Sequence, residues 1–143
     1  MLPVNVLVRR RDEAGVIGAA LAAAAAGRGH RAIARMLGRP ADTVRGWLRR
    51  FAARAEQVRA VFTAVQVCVE VDPPPLEAAG CVVADAVVAM VAAARAVARR
   101  WPALMPALSP WEVACALTSG TLLAPAITLM RINTNSPLPI TGY

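Results

Sequence analysis

Between Gly27 and Pro40 the chain has room for only one very short helix. Gly29 stands where that helix would begin, and Gly38 ends it, because glycine tolerates the positive-φ backbone that stops a helix. Ile33, Ala34 and Leu37 form its inner face. Pro40 suits the first turn of the next helix, where its missing N–H costs nothing. From there Val44, Trp47, Leu48, Phe51, Ala55, Val58 and Phe62 keep one apolar stripe over about five turns, which predicts a single long helix. Ala34 is small where the two helices would cross, and Ile33, Leu37, Val44 and Trp47 fill the wedge between them. Residues His30 to Arg50 therefore have the spacing of a helix-turn-helix. One position departs from it: the residue after the turn glycine is usually apolar, and here it is Arg39. A helical hairpin from an unrelated all-α domain is the competing explanation.

Upstream, residues 1–11 read as an extended arm ending in Arg9-Arg10-Arg11. Asp12 is placed to cap a first helix, in which Val16, Ile17, Ala20, Leu21 and Ala24 follow at helical spacing up to Gly27. The helix-turn-helix unit then spans 12–66. Pro73-Pro74-Pro75 breaks the chain and marks a linker at 67–80. A helical region over 81–130 follows, with Val82, Ala86, Met90 and Val97 inside its first helix. Ser109-Pro110-Trp111-Glu112 is a capping-box pattern that opens a second helix, ending near 119 or 123. Residues 131–143 read as an irregular tail. The expected architecture is all-α: three helices with a long third one, then a small helical extension. Residues 113–130 are uncharged over eighteen positions, but Thr118, Ser119, Gly120, Thr121 and Pro125 interrupt them, so a buried helix is preferred to a membrane span.

Charge is divided unevenly. All sixteen basic residues are arginine. Residues 1–62 hold twelve of them against four acids, an excess of eight, whereas residues 63–143 hold four against five. Arginine-rich coding explains arginine over lysine, but not this asymmetry, which is the footprint of a polyanion-binding module. In that setting the third helix would enter the major groove of double-stranded DNA. Residues off its apolar stripe would face the bases: Asp42, Arg45, Gly46 and Arg49. Arg45 and Arg49 lie one turn apart, each able to make a bidentate contact to guanine. Asp42 could accept from cytosine, but holding Arg45 at i+3 is the favoured role. Arg28, His30, Arg31, Arg35, Arg39, Thr43, Arg50 and Arg54 are the candidate phosphate contacts. Arg9, Arg10 and Arg11 are candidates for a minor-groove arm, or an ordinary solvated charge run.

Other chemistries find little support. Cys68, Cys81 and Cys115 form no CxxC pair and His30 is the only histidine, so no zinc site and no other cofactor is expected. Lone cysteines and the lack of a secretory signal suggest a reduced, cytoplasmic setting. Metal-dependent strand transfer needs converging carboxylates. After residue 62 only Glu70, Asp72, Glu77, Asp85 and Glu112 are available, so no enzymatic activity is expected. A helical protein-interaction or membrane-associated module, binding DNA only non-specifically, is the alternative function. No small-molecule ligand is evident.

Three runs together resemble a family: Arg10-Arg-Asp-Glu-Ala-Gly-Val-Ile-Gly-Ala-Ala-Leu, Gly27-Arg-Gly-His-Arg-Ala-Ile-Ala and Thr43-Val-Arg-Gly-Trp-Leu-Arg-Arg-Phe51. They are similar to actinobacterial helix-turn-helix proteins associated with mobile elements and transposases. The resemblance covers about residues 3–62, with an echo at Asn133-Thr-Asn-Ser-Pro137. It implies a homeodomain-like fold, DNA as partner, and a role in transposition or transcriptional regulation, with a homodimer or a transposase as a further partner. In such relatives a cysteine-rich zinc ribbon commonly precedes the segment seen here as Leu2-Pro-Val. Its absence implies a shorter family member or a longer reading frame.

Overall fold

The structure is a computed structural model describing residues 4–103, 109–118 and 123, with residues 4–13 as backbone alone. Six helices are present among the described residues, and no strand: α1 (Val4–Ala25), α2 (His30–Leu37), α3 (Ala41–Ala52), α4 (Ala55–Val69), α5 (Val82–Arg100) and α6 (Pro110–Leu117). The chain is all-α, with a helix-turn-helix at α2 and α3. The expected tail, the later part of the uncharged 113–130 run and the Asn133–Pro137 echo lie outside the described residues. No described helix is long and apolar enough to cross a membrane.

The first helix begins at Val4, not Asp12, and Arg9, Arg10 and Arg11 lie within it. Over residues 4–11 the extended arm is therefore corrected to helix. No proline or glycine stands between Val4 and Ala14, so nothing stops the helix before Asp12, whose capping preference is overridden. The side chains of the three arginines lie outside the described residues.

Two neighbouring stripes of α1 serve two cores. Ala20 is buried with Ile33, Ala34 and Val44, with Ala23, Ala24, Leu37, Trp47 and Leu48 packed around them. Leu21 is buried in a larger core with Phe51, Phe62, Met90 and Leu117, and Ile17 and Ala25 pack on it. Alanine on both stripes lets α1 lie close to helices on either side. Trp47, expected inside, is only half-buried.

The long third helix is also corrected. It breaks at Ala53–Arg54 into α3 and α4. Arg54 has φ −124° and ψ 4°, and its N–H turns back to the carbonyl of Phe51 at 2.9 Å. The residues around the break carry no glycine or proline. What they share is burial: Phe51 and Ala55 are both fully buried in the larger core. A break between them lets α3 keep its outer face free while α4 lies along α5. Every apolar position of the stripe from Phe51 to Phe62 is used, but on two helices.

Beyond α4 the helical extension shares a core with the helix-turn-helix unit. Val58, Phe62, Val65 and Val69 of α4 pack against the buried Ala86, Ala89, Met90, Ala93 and Val97 of α5, in the same core as Phe51. The two helices run in the same direction. Glu70, at the end of α4, binds Arg99 at the end of α5, and Arg59 near the start of α4 lies beside Asp85 near the start of α5. A parallel pair needs a long return connection, and residues 70–81 supply it. The proline run keeps them non-helical, Leu76 packs on the core, and the backbone N–H of Ala79 donates to Asp85 Oδ1 at 2.6 Å. The expected linker is thus a strap laid along the α4–α5 face. Gly80 turns the chain into α5 at φ 97°. Val82, expected inside, is exposed.

At α6 the capping box forms as its spacing predicts. Ser109 Oγ accepts from the Glu112 N–H at 3.2 Å, and the Ser109 N–H donates to Glu112 Oε2 at 2.6 Å. The helix it opens sets the Trp111 indole against α1 at Gly18. A Cβ at Gly18 would lie 2.0 Å from Trp111 Cγ. Gly18→Ala should therefore lower stability by about 1–3 kcal/mol, as overpacking does, despite alanine's better helix propensity. Urea unfolding would measure it. Adding Trp111→Ala should recover most of the loss that Gly18→Ala adds, and no recovery would show that the contact is not what glycine preserves.

The Glu70 carboxylate is held below the ordinary carboxylate range, first by the hydrogen bond from Arg99 and further by Gln66, whose Nε2 donates at 3.1 Å; partial burial opposes both. A carboxyl with a lowered folded-state pKa adds stability above its unfolded pKa and loses it as pH falls through the folded one. Thermal scans from neutral to acid pH should therefore show a loss centred below the ordinary range. Glu70→Gln should be less stable at neutral pH, and the difference from the parent should shrink on acidification. A constant difference across the range would show that the ion pair contributes nothing pH-dependent.

Candidate nucleic-acid interface

The helix-turn-helix is built from local signals. Gly29 precedes α2 in extended conformation, at φ −75° and ψ 154°, and contributes no side-chain cap. Gly38 closes it in the left-handed region at φ 62°, its N–H returning to the Ala34 carbonyl. Pro40 then precedes α3 as its cap residue, one position earlier than its expected place in the first turn. Ile33 and Val44 are fully buried between α1, α2 and α3, so they set the angle of the two helices.

Anchored this way by Val44 and Phe51, α3 turns the opposite face outward. Asp42, Thr43, Arg45, Arg49 and Arg50 are exposed and Gly46 is half-buried. Arg45 and Arg49 have no ion pair or hydrogen bond to another described residue. The expected Asp42–Arg45 pair does not form. Asp42 has no partner among the described residues and lies in the first turn of α3, which suits the positive end of the helix dipole. At Gly46 a Cβ would meet only Arg50 Nη2, at 3.8 Å, so no packing inside the protein requires glycine there.

Arg31, Arg35 and Arg39 converge on an open groove of about 720 Å³ at the turn, floored by Ala34, Gly38 and Pro40. Arg39, the departure from the usual pattern, is exposed at that groove, so its charge costs no burial. His30 is half-buried at the first position of α2, where backbone N–H groups lack helical partners. Arg28 is exposed and its Nη1 donates to Met36 Sδ at 3.2 Å, a contact that no sequence signal announced.

Arg54 stands apart. It sits at the α3–α4 break, with Nε and Nη1 buried and without hydrogen-bond partners among the described residues. A buried donor without a partner costs about 1–3 kcal/mol. Those two nitrogens do not reach the surface, so Arg54 offers less to a phosphate than the neighbouring exposed Arg50.

No curated protein and no solved structure is significantly similar to the chain. Residues 9–59, from within α1 to the first turns of α4, match a homeodomain-like domain family, so this segment of an all-α chain is a homeodomain-like helix-turn-helix, which supports DNA as a partner.

Proposed function

We propose that this chain binds double-stranded DNA in a sequence-specific manner, with α3 in the major groove. It would act as a subunit associated with a mobile element or as a transcriptional regulator. The observation that carries the reading is the pair Arg45 and Arg49: exposed, unpaired among the described residues, and one turn apart on a helix whose other face is locked in the core. Asp42 and Gly46 complete the base-facing set. Asp42, with no partner among the described residues, can accept from a cytosine amino group.

Around them Arg31, Arg35 and Arg39 at the turn, with Arg28, His30, Thr43 and Arg50, would hold the phosphates on either side of the groove. Arg54 would contribute least. The role is binding and not catalysis: Glu70, Asp85 and Glu112, three of the five acids after residue 62, are engaged with Arg99, the Ala79 N–H and the α6 cap. A helix as short as α3 reads only a few base pairs, so a homodimer or a transposase partner would supply the rest of the site.

Selection of bound duplexes from random DNA tests the proposal. A guanine-containing site should be enriched. Affinity for it should fall about 10³-fold or more between 50 and 200 mM salt, as expected for six or more phosphate contacts. No enrichment, with binding that ignores salt, would remove the proposal. Mapping of the enriched site to element ends or to promoters separates the two roles.

A further inference from the structure

The strap and α5 enclose a second feature, on elements outside the helix-turn-helix. Val88, Val91 and Ala92 of α5 face Pro74 and Leu76 of the strap across a groove of about 380 Å³. That volume lies in the range of small-molecule sites, which are mostly apolar with a few placed polar groups. Along α5 the stripe runs 88, 91/92, 95, 99, alternating steps of three and four, so one helix face supplies the whole wall. Its first half is apolar. Its second half is Arg95 and Arg99, giving a polarised trough about 16 Å long.

The charges at the basic end are not equivalent. Arg99 is matched by Glu70, which Gln66, 2% exposed, also binds from α4. Arg95 is exposed and has no ion pair or hydrogen bond to another described residue. Among the described residues the groove therefore offers one uncompensated positive charge at one end of an apolar channel. We propose that it binds an amphipathic monocarboxylate, with the carboxylate on Arg95 and the apolar body along Val88, Val91 and Leu76. A cationic amphipath finds no acidic partner among the described lining residues. A dianion would meet only one free charge.

Isothermal titration of the full chain with decanoate, kept below its micellar concentration, tests the assignment, with decylamine as the control. Decanoate should bind saturably at one per chain, at least tenfold tighter than decylamine. Arg95→Glu, a surface change whose folding is checked by circular dichroism, should weaken decanoate at least tenfold and reverse the order of the two ligands. Decanoate should also shift the methyl resonances of Leu76, Val88 and Val91 before others. The proposal is overturned if decanoate shows no saturable binding, if both ligands bind alike, if Arg95→Glu leaves decanoate affinity unchanged, or if the first shifts map elsewhere. None of these readouts involves DNA, so the site stands or falls apart from the interface on α3.

Discussion

The double variant Arg45→Ala/Arg49→Ala is expected to lose sequence preference altogether while still binding DNA. Each bidentate arginine–guanine contact gives about 1–3 kcal/mol of discrimination. Both together should separate cognate from scrambled duplex by about two to four orders of magnitude. Removing them should bring the two affinities together in fluorescence anisotropy. Neither side chain packs on the core or pairs with another described residue, so the fold should be unchanged by circular dichroism. Non-specific affinity should drop far less, because Arg31, Arg35, Arg39 and Arg50 remain to hold phosphates. Arg35→Ala provides the contrast. It should weaken cognate and scrambled duplex alike and reduce the salt slope by about one. If the double variant keeps its preference, α3 is not the reading helix.

How far α3 could be read from sequence depended on how local its determinants are. Gly38 and Pro40 act within a few residues of themselves, so the turn and the start of α3 follow from the chain alone. The same holds for the Ser109–Glu112 box, whose two hydrogen bonds lie within one turn. The break at Ala53–Arg54 is different. Its residues are good helix formers, and it exists because Phe51 and Ala55 are drawn into one core by α5, which begins about thirty residues later. A continuous apolar stripe cannot distinguish one helix from two that share a core. Gly18 and Trp111 are ninety-three positions apart, and neither has a sequence signal for the other. The strap reads as a linker because proline excludes helix but says nothing about what the segment lies on.

The candidate site divides the same way. That Arg45 and Arg49 leave the apolar stripe follows from helical spacing, and the structure leaves both exposed. Whether a charge finds a partner is a question of rotamers and neighbours. At i+3 spacing Asp42 could have held Arg45, yet it does not, while Arg59 and Glu56 at the same spacing do pair. Arg54 shows the converse. Its position in sequence resembles that of Arg50, but it sits at the break, where the chain turns it inward.

Phe51→Ala is expected to cost about 3–5 kcal/mol, the largest effect of any single substitution considered. Phe51 is fully buried at the last turn of α3 and belongs to the core formed with α1, α4, α5 and α6, whereas Val44, two turns earlier, belongs to the helix-turn-helix core. Leu48 packs on both. Losing Phe51 therefore opens a cavity at the junction that fixes α3 to the rest of the molecule. Cavities of this kind are penalised for lost transfer energy and for the empty space that remains. Two consequences distinguish a shared core from two separate ones. Chemical unfolding of the parent, followed by tryptophan fluorescence and by circular dichroism, should give coincident transitions, and both should shift together in Phe51→Ala. DNA binding should fail at the same denaturant concentration as the α4–α5 pair. If instead helical signal from α4 and α5 persists after the DNA-binding unit has melted, α3 is held by its own three-helix core, and the burial of Phe51 against α5 contributes little to placing Arg45 and Arg49.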